Sequence, residues 1–328
     1  MTIDLKLLKK AVLGCAKLEE KENRLYLYRF TDEQAEAYKN CSNDFYKKSK
    51  ATANVKLEFT TNSQNLRISG ECFSGSSRNF FGFDVYVNGS LVYHAFEYLH
   101  DGFSSYTIDT SLGDADIKNV TVYFPWSVQA NVGSLTLDDG ASFDVIKRPH
   151  KMICFGDSIT HGYDAKNPSF TYANRLADAL RAESLNKGIG GDKFFPTLAD
   201  LKDDFEPDYI TVAYGTNDWG YSSKEIFDLN SRLFYQKLSK NYPNTKIFAL
   251  SPIWRGNWDS KEKQVGEFSY VANTIKNISD SLPNVIFINC FDFVPHEKEY
   301  FSPDILHPND AGSYHYAAEL YAEIKKYL

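Results

Sequence analysis

Met152-Ile153-Cys154-Phe155-Gly156-Asp157-Ser158-Ile159-Thr160 is the stretch on which the reading of this chain turns. Four apolar residues run without a break into a glycine, an acid and a hydroxyl residue, which reads as a short strand buried on both faces and closed by a turn. The same rhythm returns at Tyr209–Tyr214, Lys246–Leu250 and Val285–Asn289, and a shorter strand is expected to end near Leu185-Asn186. Between these runs Ile226, Leu229, Leu233 and Leu238 recur at helical spacing, as do Ala317, Leu320, Tyr321 and Ile324. Buried strands alternating with helices predict a parallel sheet in a three-layer α/β fold.

Upstream the period changes. Arg24–Phe30, Asn54–Phe59, Asn65–Ser69, Phe83–Val87, Leu91–Tyr93, Tyr106–Ile108, Val120–Phe124 and Ser134–Leu137 alternate apolar and polar residues with turn residues between them. Period-two alternation in many short runs predicts an antiparallel β-sandwich, jelly-roll-like, behind a short N-terminal helix. Asn88-Gly89 between two such runs is a hairpin signal, since both residues accept positive φ. Pro149 is the natural seam, giving an N-terminal region 1–148 and a second domain 149–328. A length of 328 residues favours two domains over a single core.

Composition excludes more than it identifies. A hydrophobic fraction of 43% and a charged fraction of 24% are ordinary for a globular protein. A net charge of −7 argues against nucleic acid or an anionic membrane surface as partner. The five cysteines are widely spaced, with no C-x-x-C pair, and Cys154 and Cys290 read as small core residues. Val12-Leu13-Gly14-Cys15 superficially matches a lipoprotein cleavage site, but only four apolar or small residues separate Lys10 from Cys15. That is too short for a signal core, so a cytoplasmic location is expected.

Four blocks carry the chemistry: Gly156-Asp157-Ser158-Ile159-Thr160, Asn186-Lys187-Gly188-Ile189-Gly190-Gly191, Gly215-Thr216-Asn217-Asp218 and Asp304-Ile305-Leu306-His307. Each falls at or beyond the carboxyl end of an expected strand, where open parallel sheets form their ligand crevice. A serine hydroxyl is a poor nucleophile near neutrality. It needs an imidazole to take its proton, and the imidazole needs a partner to fix its tautomer. Pro303 and Pro308 flank Asp304 and His307, so that segment is expected to be a loop.

In their order these blocks resemble the SGNH (GDSL-type) hydrolases, over residues 150 to 328. The resemblance implies an αβα hydrolase domain needing no cofactor or metal, with Ser158 as nucleophile, His307 as base and Asp304 as its orienting acid. It further implies oxyanion donors at Ser158, Gly191 and Asn217. A β-sandwich ahead of such a domain is similar to the layout of carbohydrate esterases, which points to deacylation of sugars or oligosaccharides, with acetyl as the expected acyl group. A lipid-directed acylhydrolase is the alternative within enzymes. A carbohydrate-binding protein with an inactive hydrolase domain is the alternative outside them. No G-x-S-x-G elbow occurs, which disfavours a conventional α/β-hydrolase.

Other readings compete at single positions. Asp292 and His296 offer a second acid and imidazole. Asp157 is assigned to local hydrogen bonding and His161 to a polar surface or pocket rim, while Asp218 fits helix capping as well as any other role. His94, His100, His150 and His315 show no cluster, and no metal-ligand spacing appears. Trp219 and Trp254 are candidates for stacking on sugar rings, ahead of Tyr163, Phe194 and Phe195. Oligomeric state is open.

Overall fold

The computed structural model describes residues 1–328. Two antiparallel sheets stand face to face in the N-terminal part. One runs Val12–Leu13, Lys56–Thr61, Lys118–Tyr123, Phe80–Val87, Ser90–Tyr98, with Asp144–Val145 also paired to Lys56–Thr61. The other runs Ser134–Leu137, Asn65–Ser74, Val128–Val132, Arg24–Tyr28, Lys17–Lys21, with Phe103–Ser111 along the free side of Asn65–Ser74. Inward residues such as Leu57, Phe59, Ile68, Phe83, Val85 and Val122 form the core between them. Asn88 and Gly89 make the expected hairpin turn, at φ 49° and 81°.

The parallel sheet uses five strands, His150–Gly156, Ala182–Gly188, Tyr209–Ala213, Lys246–Leu250 and Val285–Ile288, in spatial order second, first, third, fourth, fifth. Apolar clusters lie on both of its faces, which is why Met152–Phe155, Ile247–Leu250 and Val285–Ile288 read as unbroken hydrophobic runs. The strand order reverses between the first strand and its two neighbours. A crevice therefore opens beyond Gly156, Gly188 and Ala213.

Two features depart from expectation. The helix Lys224–Asn241 buries Phe227, Ser231, Phe234, Tyr235 and Leu238, while Ile226 and Leu229 stand exposed. The aromatic residues offer more area to bury, so the helix turns them inward and leaves Ile226 and Leu229 in water. Two helices, Asp32–Cys41 and Asn43–Ser49, also interrupt the β-rich half. The first is started by a capping box, Thr31 accepting from the Gln34 N–H and Gln34 reaching back to the Thr31 N–H.

These helices weld the two halves together. Tyr38 and Phe30 join the apolar cluster of the parallel sheet. The buried Arg29 guanidinium donates to the carbonyls of Asn186 at 2.6 Å and Gly188 at 3.1 Å. Lys187, also fully buried, donates to the Arg29 carbonyl, Gln34 and Asp203, all within 2.8 Å. On the far side Asp84 of the sandwich accepts from the Ser169 N–H and hydroxyl and from His94, which therefore does have an acidic partner. A further cluster joins Lys56, Tyr123 and Arg148 to Asp178.

Candidate active site

The first block turns sharply out of its strand. Asp157 caps the short helix Ser158–His161, its carboxylate accepting from the Ile159 N–H at 3.0 Å, and this lifts Ser158 to the crevice floor. Burial pushes the Asp157 carboxyl up to about 6 against that hydrogen bond. Gly156 and Gly188 both pack against this helix: a Cβ on Gly188 would lie 2.4 Å from the His161 nitrogen. The two glycines let strands and helix approach closely enough to bring the blocks together.

The fourth block is a loop folded on its own acid. Asp304 Oδ1 accepts from the Ser302 hydroxyl at 2.7 Å and from the N–H groups of Leu306 and His307 at 2.9 and 3.1 Å. Its Oδ2 accepts from His307 Nδ1 at 2.6 Å, and His307 Nε2 lies 2.7 Å from Ser158 Oγ. Burial alone would raise the Asp304 carboxyl. The hydrogen bond and charge of His307, with the Ser302 hydroxyl, outweigh it and hold the group well below the usual carboxylate range. The result is a serine–imidazole–carboxylate chain within proton-transfer reach at every step.

Asn217 sits in the first turn of the helix Thr216–Tyr221, which Gly215 starts from a left-handed φ of 118°. One amide hydrogen is donated to the Asp192 carbonyl at 2.9 Å, which leaves the other for the crevice. Gly191 is exposed at φ 87°, and its N–H donates to no protein acceptor. Asp192 is held from the N-terminal half: Tyr38 donates its hydroxyl to Oδ2 at 2.7 Å. Lys48 likewise donates to the Gly190 carbonyl at 2.8 Å.

The structure corrects the expectations for Trp219 and His161. Trp219 is fully buried, its Nε1 donating to the Gly266 carbonyl and its ring edge-on to Phe268, so no ligand reaches its face. Trp254 is half-buried with one face covered by His296, whose ring centroid lies 5.1 Å away. His161 lies on no rim. It is fully buried, Nε2 donating to the Trp126 carbonyl at 2.9 Å and Nδ1 accepting from the Gly190 N–H at 3.2 Å. Burial, then the charge of Arg29, hold it well below its ordinary range, so it is a neutral imidazole pinning the glycine block to the sandwich.

His296 pairs with Asp292 at 3.2 Å on the flank of Trp254, whereas His307 is the imidazole that meets Ser158. Asp218 accepts from the Phe194 N–H at 3.2 Å instead of capping its helix, and burial raises its carboxyl to about 7. Phe194 is core, and Phe195 packs on Tyr38.

Four neighbours of the site were not read from the sequence as parts of it. Tyr163, weighed only for sugar stacking, lies 5.5 Å from His307 with the rings 30° apart. Asp164 Oδ2 lies 3.5 Å from His307 Nδ1. Arg78 of the sandwich pairs with Asp164, and Arg255 donates to the Thr216 carbonyl at 3.2 Å beside Asn217. The capping box at Thr31 was the one sequence signal for the helix that carries Tyr38; nothing in the primary pattern points to the other four contacts. Asp164, Asp304 and His307 together resemble a metal-ligand group. Asp164 is already engaged by Arg78, and His307 Nδ1 donates to Asp304, so the group is part of the proton chain.

Residues 154–314 match the model of the GDSL-like lipase/acylhydrolase family. None of the curated protein sequences matches significantly. Among solved structures the fold resembles a salicylyl-acyltransferase from a tetracycline biosynthetic pathway, with TM-score 0.81 and 23% identity over 96% of this chain and 94% of that one. It also resembles a family two carbohydrate esterase from Cellvibrio japonicus, with TM-score 0.66 and 17% identity over 99% and 97% of the two chains. An acetyl xylan esterase from the rumen bacterium Butyrivibrio proteoclasticus gives TM-score 0.65 and 18% identity over 97% and 95%. At such identities the likeness is one of fold, sandwich included. With the four motifs gathered at the crevice and the family match covering them, residues 154–314 form a segment of the GDSL-like lipase/acylhydrolase type.

Proposed function

We propose that this protein is a serine esterase that removes short O-acyl groups, acetyl foremost, from sugars or oligosaccharides through an acyl-enzyme. The observation that carries the reading is the unbroken chain from Ser158 Oγ to His307 Nε2 at 2.7 Å and from Nδ1 to Asp304 at 2.6 Å. Ser158 Oγ attacks the ester carbonyl while its proton passes to His307. The resulting imidazolium is stabilised by Asp304, and the tetrahedral oxyanion is met by the N–H groups of Ser158 and Gly191 and the free amide hydrogen of Asn217. His307 then returns the proton to the leaving alcohol. Water repeats the sequence on the acyl-enzyme. Each oxyanion donor in such a site is worth about 10²–10³ in turnover.

Two features support a carbohydrate alcohol. The fold neighbours include proteins named as carbohydrate and xylan esterases. A row of aromatic contacts also leads away from the base: Tyr163 packs on Trp126 at 4.9 Å, Trp126 on Phe80 at 5.6 Å, and Phe80 on Phe96 at 5.1 Å. Phe96 and Tyr98 are exposed at its outer end, offering faces on which sugar rings stack. Ser158→Ala tests the core of the reading: the burst of p-nitrophenol from p-nitrophenyl acetate disappears, and an undiminished burst rejects it. Acyl preference falling steeply from acetyl to octanoyl esters is expected, and the reverse order favours a lipid-directed acylhydrolase.

The fold's likeness to an acyltransferase over nearly its whole length favours a second reading, in which an alcohol replaces water in deacylation. Adding a sugar acceptor to the acetyl-ester assay separates the two: transfer product appearing at the expense of free acetate supports transfer.

A further inference from the structure

We propose that Asp164 is a second carboxylate for the catalytic imidazole, positioned by Arg78 of the sandwich, so that the N-terminal domain sets the strength of the base. This rests on His307 being the base, as argued above. It assigns a task in the reaction to the domain in front of the hydrolase fold.

The geometry is specific. Asp164 Oδ2 lies 3.5 Å from His307 Nδ1, the same nitrogen that donates to Asp304. Both Asp164 oxygens are held in a fork by Arg78, Nε to Oδ1 at 2.8 Å and a terminal nitrogen to Oδ2 at 3.0 Å. That bidentate match fixes the carboxylate in direction as well as distance. Asp164 is only 14% exposed at its side chain, so water screens its field weakly.

The segment carrying Asp164 is stitched to the sandwich on each side of it. The Ser77 hydroxyl and N–H donate to the Tyr163 hydroxyl at 3.3 and 3.4 Å, and Trp126 Nε1 donates to the Ala165 carbonyl at 2.8 Å. The Arg78 guanidinium lies 5.2 Å from the centre of the Tyr163 ring, which also packs on His307 and on Trp126. Asp164 also adopts a left-handed φ of 68°, a conformation that aspartate tolerates but that the surroundings must hold in place. Without the sandwich none of these restraints exists.

The electrostatic consequence has a sign. A carboxylate beside Nδ1 favours the imidazolium that forms as Ser158 is deprotonated, and a cation behind that carboxylate weakens the effect. The charged or titratable groups around His307 are Asp304 on its own loop, Asp164 and Tyr163 on the loop after the helix Ser158–His161, and Asp157 at the strand end. Arg78 stands behind Asp164, and Arg255 approaches Asp157 and Asp304 from the loop after the fourth strand. Asp164 and Arg78 therefore act in opposite directions on one imidazole, through one contact.

The test uses the full-length chain with p-nitrophenyl acetate between pH 5 and 9. Asp164→Asn should lower kcat about tenfold with KM within about twofold, and move the acid limb of kcat/KM down by about one pH unit. Arg78→Ala should move that limb up by about half a unit, while Arg78→Lys should keep it near wild type. Opposed shifts are the signature, because simple loosening of the loop would move both variants alike. Shifts in the same direction, or none, with Ser158→Ala inactive, overturn this proposal and leave the esterase reading standing. Activity surviving in Ser158→Ala overturns the esterase reading itself. Should Asp164→Asn fail to show a cooperative melt, the direction of the Arg78→Ala shift alone decides, upward for the proposal and unchanged or downward against it.

Discussion

Replacing Asp304 by Asn should cripple the enzyme for a reason visible in the hydrogen-bond pattern. Three donors converge on Oδ1: the Ser302 hydroxyl, the Leu306 N–H and the His307 N–H. An Asn at this position keeps its carbonyl oxygen there, which forces its NH₂ toward His307 Nδ1. Two donors cannot share that contact, so Nδ1 must accept and the ring proton moves to Nε2, the atom that has to receive the proton of Ser158. Turning the amide over instead would lose two or three hydrogen bonds of about 1 kcal/mol each. Loss of the correct tautomer costs about 10⁴ in turnover in a serine triad, or about 5.5 kcal/mol. We expect a fall of about 10³–10⁴ in kcat for Asp304→Asn, the lower figure applying if Asp164 recovers part of the contact. Steady-state kinetics on p-nitrophenyl acetate with a melt of the same preparation measures this. A variant within tenfold of wild type, properly folded, would refute the assignment of base and acid and return attention to Asp292 and His296.

Other expectations follow from single contacts. Gly190→Ala places a Cβ about 2.4 Å from the Tyr163 hydroxyl, so the ring against His307 must move; kcat should drop about tenfold or more with the burst slowed, and unchanged kinetics would count against that ring's role. Trp219→Ala should cost about 3–5 kcal/mol in urea unfolding and leave KM for small esters unaltered, since the ring lies in the core; a raised KM at full stability would contradict its placement. Burial raises the Asp218 carboxyl to about 7, and the charges of Asp192 and Asp157 add to the effect. A folded-state pKa above the unfolded value near 3.9 contributes stability that is complete below about pH 4 and is lost as pH rises through 7. Asp218→Asn should therefore gain on wild type between pH 5 and 8 by about 1–2 kcal/mol, read as a few degrees in melting temperature, and a gap that narrows with pH would overturn the account.

Much of the architecture was legible in the chain because it is written in local periodicity. Runs such as Met152–Phe155 and Ile247–Leu250 are apolar without interruption because helices cover both faces of their sheet, and Phe103–Ser111 alternates because only one of its faces is covered. The helix Lys224–Asn241 shows where periodicity runs out. Two apolar faces were available, and the partner across the layer chose the one carrying Phe227 and Phe234. No property of the helix alone makes that choice.

The sequence by itself determined the chemistry: a serine, an imidazole three residues after an acid, and an amide, each at the end of a strand that could be counted. Those positions are fixed by turns and caps that span only a few residues, so local physics suffices to find them. Only the tertiary structure decided what stands around them. Asp164 and Arg78 lie 86 residues apart yet form a two-pronged ion pair beside the base. Tyr38 reaches Asp192 across 154 residues to hold the carbonyl that orients Asn217. Such pairs arise from the docking of the sandwich on the parallel sheet. Contacts between surfaces that meet only after each half has folded leave no periodic trace in the chain that makes them.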